Sequence, residues 1–343
     1  MSCDSGCGAA STGFRVDASA VLAEDELLRD DPPDPDAGGK PPPQRLKRIF
    51  SDDRPESMSY LEELRQVVDE FPDRVLAGEV QGKTDRIGHF YGTTKPRFHL
   101  PLNFLLLDSP WDALSLQGNI DAYLNAIPDQ AWPDWVIGGH DKHRVASKVG
   151  QPQARILAML LLTLKGTPFL FAGDELGMEQ VEIPHNRIQD PFEKLVPGYG
   201  LNRDPERSPM RWNAGPKGGF SDGQPWLPMG NDVAARNVET LQANDRSLLW
   251  LYRRLIQLRR AEPALLEGGY EPVRSRNDIL IYKRTHGADA IVIALNTQHE
   301  PRKFEWRGEG MVLLSSHLDR ARQPLQSSVL LRGDEGIIVK LEN

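Results

Sequence analysis

Three carboxylates each follow a short apolar run of the kind that forms a buried strand. Asp17 follows the run GFRV, Glu79 follows VLAG and Asp141 follows WVIGGH. A carboxylate at the C-terminal end of a strand stands where an α/β barrel carries its active site. Cleavage of a glycosidic bond requires a pair of carboxyl groups beside the reacting carbon of the sugar. The three residues therefore predict a carbohydrate-active enzyme.

The segments that must hold these carboxylates alternate between strand and helix through the first two thirds of the 343 residues. Apolar residues at helical spacing predict helices, and short apolar runs bounded by turn residues predict strands. Their alternation is typical of a parallel sheet with crossover helices, the α/β class. Helices are predicted over 59–71, 153–164 and 247–260, strands over 14–16, 75–77, 135–137 and 169–171, and a further apolar run covers 100–107.

The sequence after Pro263 changes to short β runs separated by turn residues. Such spacing predicts a small antiparallel β-sandwich. The predicted runs are 279–283, 290–295, 311–314, 328–331 and 337–341.

Two long irregular segments, over 30–58 and 178–235, interrupt the pattern. Loops of this length without secondary structure are uncommon in compact domains and are usually functional. In the second segment, Trp212, Phe220 and Trp226 predict that the loop packs against the rest of the chain.

Composition narrows the class of partner. The formal net charge of −8 disfavours a polyanionic partner such as nucleic acid and favours a neutral substrate. No apolar stretch reaches the roughly 18 residues of a membrane span. Cys3 and Cys7 are too few for a disulfide framework or a metal site, and we expect both to be reduced. The first residues lack the basic and apolar regions of a signal peptide, which predicts a cytoplasmic location.

Five segments resemble the α-amylase superfamily, glycoside hydrolase family 13. GFRVDA, VLAGEV and VIGGHD are similar to three of its strand-end segments, and TPFLFAGDELGM is similar to its eighth strand and the following turn. LNRDPERSPMRW resembles the Arg-x-Pro-Met-x-Trp segment of the α-glucosidase and oligo-1,6-glucosidase branch. The segments occur in the family's order, and the resemblance runs from Gly13 through the C-terminal β region.

The resemblance implies a retaining mechanism with a covalent glycosyl-enzyme intermediate. Asp17 is then the nucleophile, and Glu79 is the general acid that protonates the departing oxygen and later the base that activates water. Asp141 is the third carboxylate, which binds sugar hydroxyls more tightly as the ring distorts. Such a site needs two carboxyl groups about 5–5.5 Å apart, one ionised and one protonated.

The resemblance also implies substrate contacts at Arg15, His140 and Arg207. Arg15 stands two residues before Asp17, so both point to one side of the strand, and Arg15 can hold Asp17 ionised. His140 is expected to donate a hydrogen bond to sugar hydroxyls, and Arg207 is a further sugar contact. Structural alternatives exist: a simple Arg15–Asp17 ion pair, a solvated Glu79, or a helix N-cap at His140 and Asp141. Each explains one segment, whereas the resemblance explains all of them in order.

Two positions bear on specificity and activity. In this branch, valine directly after the nucleophile goes with α-1,6-linked substrates and a smaller or polar residue with α-1,4-linked ones, so Ala18 favours bonds such as that of maltose. The family's third carboxylate is usually preceded by Asn-His, and Gly139 replaces that asparagine. The replacement removes a side-chain hydrogen bond near the site but no catalytic group. Asp174 and Glu175 correspond to the turn after the eighth strand, and we interpret them as structural.

The resemblance implies an incomplete (β/α)8 TIM barrel containing strands four to eight, followed by the small antiparallel β-sandwich. GFRVD resembles strand four, so three earlier units, about 90 residues of a complete barrel, have no counterpart here. We therefore expect a truncated chain, with an irregular segment over 1–12, the partial barrel over 13–262 and the β-sandwich over 263–343. The common calcium site of the family lies in the missing part, so we predict no metal and no cofactor.

The predicted function is a retaining α-glucosidase that hydrolyses terminal α-glucosidic bonds of short oligosaccharides, with α-1,4 bonds favoured. One alternative is a catalytically inactive remnant or a non-catalytic interaction subunit. Another is a glucosyl-transferring enzyme or sugar isomerase, which passes the same intermediate to a sugar instead of water. The predicted partner is a small oligosaccharide, with neither nucleic acid nor a membrane, and the sequence leaves the oligomeric state open.

Overall fold

The computed structural model of the chain describes residues 12–80, 84–325 and 327–342. Most of the segment predicted to be irregular, including Cys3 and Cys7, lies outside the described residues. The chain divides into two compact units. Unit 1 comprises Met1–Leu105, Ala122–Trp135 and Phe192–Leu201, and unit 2 comprises Leu106–Asp121, Val136–Pro191 and Asn202–Asn343.

Unit 1 is built on a three-stranded parallel sheet in the order β1-β2-β3. Parallel neighbours need crossover connections, and a helix lies between each pair of strands in the sequence. Both predicted strands and the first predicted helix are confirmed, and the helix begins earlier than predicted, with Pro55 in its first turn. The elements are β1 (Gly13–Val16), α1 (Pro55–Asp69), β2 (Val75–Glu79), α2 (Thr84–Tyr91) and β3 (Leu100–Leu102).

The core of unit 1 lies between this sheet and its helices. Leu61 and Val68 stand seven residues apart on one face of α1, and both are fully buried. They pack in one cluster with Leu76 of β2, Phe90 of α2 and Phe98, which precedes β3. This cluster fixes the two strands whose C-terminal ends carry Asp17 and Glu79.

The remaining helices and two short strands follow in chain order. β4 and β5 form a two-stranded sheet, each within two residues of its predicted position. No helix within the described ranges combines the length and the apolar character needed to cross a bilayer. The elements are α3 (Leu105–Asp108), α4 (Ala113–Ala126), β4 (Asp134–Val136), α5 (Val145–Thr163), β5 (Thr167–Phe169), α6 (Pro191–Leu195), α7 (Val238–Gln242), α8 (Leu248–Ala261) and α9 (Pro263–Leu266).

The helical core of unit 2 joins α5 to α8. α5 is interrupted at Gly150, which has φ of 78°, so the predicted helix over 153–164 corresponds to its second part. Arg259 of α8 donates hydrogen bonds to the carbonyl oxygens of Leu162 (3.0 Å) and Leu164 (2.9 Å). These carbonyls at the end of α5 have no partner within their own helix, so the arginine satisfies them.

Unit 2 ends in antiparallel strands, as predicted. A six-stranded sheet has the order β11-β10-β13-β8-β7-β6, and β12 pairs with β9 separately. Their apolar faces enclose one core, which includes Ile281, Val292, Phe304, Leu331 and Ile337. The strands are β6 (Gly269–Arg276), β7 (Ile279–His286), β8 (Asp289–Asn296), β9 (Arg302–Glu305), β10 (Gly310–Ser315), β11 (Pro324–Leu325), β12 (Ser328–Leu331) and β13 (Gly336–Leu341).

The irregular segment over 178–235 packs differently from the prediction. The segment does contain buried residues, but Trp212, Phe220 and Trp226, from which packing was predicted, are 51%, 48% and 76% exposed. Charged residues of the segment are buried instead, among them Asp190 and Arg211. Because buried charges need partners, Arg211 pairs with Asp232, and Asp190 pairs with Arg203, which also contacts Asp141.

Candidate active site

Two of the predicted catalytic carboxylates lie at the ends of neighbouring parallel strands of unit 1. Asp17 directly follows the last residue of β1, and Glu79 is the last residue of β2. The register places Val16 opposite Gly78, so the two strands end side by side. The structure thus brings Asp17 and Glu79 to one edge of the sheet, where an α/β barrel carries its chemistry.

Arg15 contacts both carboxylates. Its Nη2 donates a hydrogen bond to Oε2 of Glu79 and lies 3.2 Å from Oδ1 of Asp17. Because one nitrogen reaches both groups, the two oxygens lie within two hydrogen-bond lengths, roughly 6 Å. This upper limit on the distance between two oxygens is compatible with the about 5–5.5 Å of a retaining pair.

The end of β2 is held in place by its neighbours. The hydroxyl of the buried Ser19 donates a hydrogen bond to the backbone carbonyl of Glu79. A Cβ on Gly78 would overlap the ring of Phe98, so only glycine allows this ring to lie against the strand. The side chain of Glu79 is 11% exposed, whereas that of Asp17 is 75% exposed. The carboxylates therefore differ in solvent access although they share Arg15.

Ala18 turns the chain immediately after Asp17. Its backbone is left-handed, with φ of 48° and ψ of 45°, and it precedes a 3-10 turn over Ser19–Val21. The left-handed residue lets the chain turn so that Ser19 is buried under the end of β2. Ala18 is exposed beside the proposed nucleophile.

Unit 2 brings together the other predicted residues, His140, Asp141 and Arg207. His140 and Asp141 lie after β4, in a loop closed by a bridge between Gly139 and Lys142, and Arg207 ends a 3-10 turn over Asp204–Arg207. Oδ1 of Asp141 accepts a 2.6 Å hydrogen bond from Arg207, and Nε2 of His140 lies 3.3 Å from Oδ2. Arg207 also donates to the carbonyl oxygen of His140 at 2.9 Å. The helix-cap alternative was wrong, because α5 begins at Val145 and has no side-chain cap.

Sequence reasoning missed Arg203, which also holds Asp141. Its Nη1 donates a 2.9 Å hydrogen bond to Oδ1 of Asp141, and its Nε and Nη2 donate to the two oxygens of Asp190 at 2.8 Å each. The hydrogen bonds to Asp190 hold the pKa of Arg203 above its ordinary value. The only sequence signal was the position of Arg203 in the segment LNRDPERSPMRW, since Asp190 belongs to no motif.

A buried charged layer lies beneath this loop in unit 2. Oδ1 of Asp174 is 3.7 Å from Nη1 of Arg144, and both side chains are almost fully buried. A Cβ on Gly138 would stand 2.8 Å from Oδ2 of Asp174, so the carboxylate lies directly under the chain leading to His140. Burial raises the pKa of Asp174 to about 7 although Arg144 opposes the shift. These contacts support a structural role for Asp174.

The structure leaves room for a side chain at Gly139, the position at which the family usually has an asparagine. A Cβ built there meets no atom of the described residues within 4 Å. No cluster of three or more potential metal ligands occurs in the described ranges, and the absence of a metal or cofactor stays a prediction.

Comparisons with known proteins agree with the motifs. The family described as alpha amylase, catalytic domain, matches residues 8–268. Maltase A1 of Drosophila melanogaster is 33% identical over 313 residues, which cover 84% of this chain and 54% of the maltase. A probable alpha-glucosidase of Rhizobium meliloti (strain 1021) is 32% identical over 325 residues, covering 89% of this chain and 58% of that protein. The chain thus spans little more than half the length of these relatives.

Solved structures show the same architecture. An alpha-glucosyl transfer enzyme, XgtA, superposes with a TM-score of 0.85 at 26% identity, covering 97% of this chain and 64% of that one. The trehalulose synthase MutB from Pseudomonas mesoacidophila MX-45 gives a TM-score of 0.82 at 24% identity, covering 97% of this chain and 66% of that one. The second likeness supports the fold alone.

Proposed function

The chain belongs to the α-amylase family of glycoside hydrolases, and from that premise we propose that it carries the catalytic residues of a retaining α-glucosidase. Its fold is the family's α/β barrel type followed by an antiparallel β region. We propose that β1 to β5 correspond to barrel strands four to eight, so that the barrel is incomplete within these residues. The observation that carries the proposal is Arg15, whose single nitrogen contacts both Asp17 and Glu79.

The first step forms a glycosyl-enzyme. Oδ of Asp17 attacks the anomeric carbon of a terminal glucosyl unit while the bond to the departing oxygen breaks. Glu79 transfers its proton to that oxygen, so the leaving sugar departs as a neutral alcohol. Arg15 positions both groups and offsets the negative charge on Asp17 before attack.

The second step restores the enzyme. Glu79, now ionised, takes a proton from water, and the resulting hydroxide attacks the anomeric carbon and displaces Asp17. Two inversions give glucose with its original α configuration. Asp141 is the third carboxylate in this proposal. Its Oδ1 is held by Arg203 and Arg207, and we propose that its Oδ2, 3.3 Å from Nε2 of His140, binds sugar hydroxyls.

The proposed substrates are short oligosaccharides with terminal α-glucosidic bonds, with α-1,4 bonds favoured because Ala18 follows the nucleophile. The test is glucose release by the purified 343-residue chain from maltose and from isomaltose. We expect release that is faster from maltose and that yields α-glucose first, as NMR of the initial product would record. Asp17→Asn should abolish it, and Asp129→Asn, at an exposed carboxylate of unit 1, should leave it unchanged.

The choice of leaving group distinguishes the role of Asp17 from that of Glu79. With α-glucosyl fluoride, whose fluoride needs little protonation, Glu79→Gln should still form the intermediate, whereas Asp17→Asn should not. Equal loss in both variants on the fluoride would contradict the role of Glu79. No release from a folded wild-type chain would favour the inactive remnant or interaction subunit.

A second candidate is glucosyl transfer, favoured by the 26% identity to the alpha-glucosyl transfer enzyme XgtA. Longer oligosaccharides formed from concentrated maltose would support transfer, and glucose alone would support hydrolysis. The cytoplasmic location and the domain boundaries at 12/13 and 262/263 stay predictions, and the oligomeric state stays open.

A further inference from the structure

A cavity of about 750 Å³ lies in the C-terminal β region of unit 2, among residues that the family resemblance leaves without a role. Its lining comes from β6, β7, β9, the loop after β9 and the start of β12. Pockets for small organic ligands usually measure about 300–1,000 Å³. The volume therefore suits a ligand of one or two rings.

The apolar part of this cavity is built around Trp306. The indole stacks on Phe304 with ring centres 6.2 Å apart and 26° between planes, and Phe304 is buried in the core. Val273 and Trp306 both pack against that core, so the indole is held in a fixed orientation. Its Nε1 is buried and has no hydrogen-bond partner among the described residues. A buried donor without an acceptor is unfavourable, so the position of the indole is fixed by packing and not by a hydrogen bond.

The polar part of the cavity is strongly basic. Arg274, Arg276, Lys303 and Arg307 line it, against a single acid, Glu305. Lys303 forms a 2.7 Å ion pair with Glu305, and together with Arg276 it lowers the pKa of that carboxyl. None of the three arginines forms a side-chain hydrogen bond or an ion pair with another of the described residues. Such a concentration of cations in a chain of net charge −8 is a local feature and not a consequence of composition.

We propose that this cavity binds a phosphorylated sugar. The flat indole face suits the C–H face of a sugar ring. Guanidinium groups bind phosphate oxygens in paired hydrogen bonds, which explains why arginine dominates the rim. A neutral sugar would leave the three guanidinium groups without an anionic ligand. The site lies entirely within unit 2 and includes no residue of the proposed catalytic set.

The test is isothermal titration of the purified chain with glucose 6-phosphate, glucose and inorganic phosphate as separate probes. We expect glucose 6-phosphate to bind saturably and at least about tenfold more tightly than either component. Replacing both Arg274 and Arg276 by glutamine should weaken this binding by about a hundredfold or more, because two charge-assisted contacts to the phosphate are lost. Arg260→Gln, at an exposed arginine of α8, is the matched control and should have no effect.

A fluorescence measurement locates the ligand at the indole. Binding should change the emission of the wild type and of Trp226→Phe, but not that of Trp306→Phe, because Trp306 is the tryptophan that lines the cavity. The proposal is overturned if a chain folded by circular dichroism does not bind glucose 6-phosphate. It is also overturned if phosphate or glucose alone binds as tightly, or if binding survives the double arginine variant but is lost in Asp17→Asn. The last result would place the ligand at the proposed catalytic residues and leave the α-glucosidase proposal standing.

Discussion

Arg203 holds the fully buried carboxylate of Asp190 through two hydrogen bonds of 2.8 Å each. Its third nitrogen donates to Asp141 at 2.9 Å. The orientation of the proposed third carboxylate therefore depends on a buried ion pair contributed by an irregular segment. A guanidinium fixed from one side by a buried acid presents its remaining N–H groups in a defined direction.

The Arg203–Asp190 ion pair predicts that substitutions of Arg203 and of Arg207 have unequal effects on stability. Arg203→Met should lower the free energy of unfolding by about 3–5 kcal/mol, because it leaves the charge of Asp190 buried without its main partner. Arg207→Met should cost less than about 1 kcal/mol, since Arg207 and Asp141 are both about one third exposed. Urea unfolding of the two variants compares them directly. Equal costs would show that Asp190 does not depend on Arg203.

Asp174 predicts a dependence of stability on pH. Burial raises its pKa in the folded chain to about 7, from an ordinary value of 3.8. Between these values the folded state retains a proton that the unfolded state has released, so this group's contribution is present at low pH and is lost as the pH rises to about 7. Asp174→Asn is neutral throughout. Its stability relative to the wild type should therefore increase between about pH 4.5 and about pH 8.

The control for this prediction is Asp129→Asn, at an exposed carboxylate. Its stability relative to the wild type should stay constant across the same range. A constant difference for Asp174→Asn as well would mean that Arg144, 3.7 Å away, keeps the Asp174 carboxylate ionised in the folded chain.

Replacement of two glycines by alanine should change the stability of the chain in opposite directions. A Cβ on Gly78 would overlap the ring of Phe98, so Gly78→Ala should displace the end of β2 and cost about 1–3 kcal/mol. Gly118 is exposed within α4, and a Cβ there meets no described atom within 4 Å. Gly118→Ala should therefore stabilise the chain by about 0.5–1 kcal/mol through helix propensity. Thermal unfolding measures both, and a neutral Gly78→Ala would show that the ring moves aside.

The sequence was informative where local pattern decides structure. The run before Glu79 is a strand because four apolar or small residues in a row suit a buried parallel sheet. The run before Asp17 pairs with it in parallel although Arg15 interrupts its apolar residues. The apolar run over 100–107 was divided by Asn103, whose side chain donates to the carbonyl of Asp134 at 2.7 Å and accepts from the N–H of Leu105 at 3.1 Å. That side chain ends β3 and starts α3, which apolar periodicity alone does not reveal.

Contacts between residues far apart in the chain could not be predicted from the sequence. β9 was missed because only Phe304 of its four residues is buried, and one inward residue is no alternation. The Asp190–Arg203 pair joins two points of a long irregular segment, and its formation depends on the path of the chain between them. Likewise, the ring of Phe98 could not be placed against Gly78 before the sheet was known.

The last prediction concerns Ala18, which has a strained backbone and is also the residue proposed to set the linkage preference. Its φ of 48° and ψ of 45° lie in the left-handed region, which disfavours residues other than glycine by about 1–2 kcal/mol. Ala18→Gly should therefore raise the free energy of unfolding by about 0.5–1 kcal/mol. Ala18→Val should lower it by about 1 kcal/mol or more, because β-branched side chains are the least compatible with this conformation.

The proposed linkage effect must be separated from this strain. If Ala18 favours α-1,4 bonds, Ala18→Val should lower the ratio of maltose to isomaltose hydrolysis, whereas Ala18→Gly should leave the ratio unchanged while stabilising the chain. Rates for both sugars at several urea concentrations below the unfolding transition provide the measurement. Strain alone would reduce both rates by the same factor, and a ratio that stays fixed in Ala18→Val would remove Ala18 from any role in linkage preference.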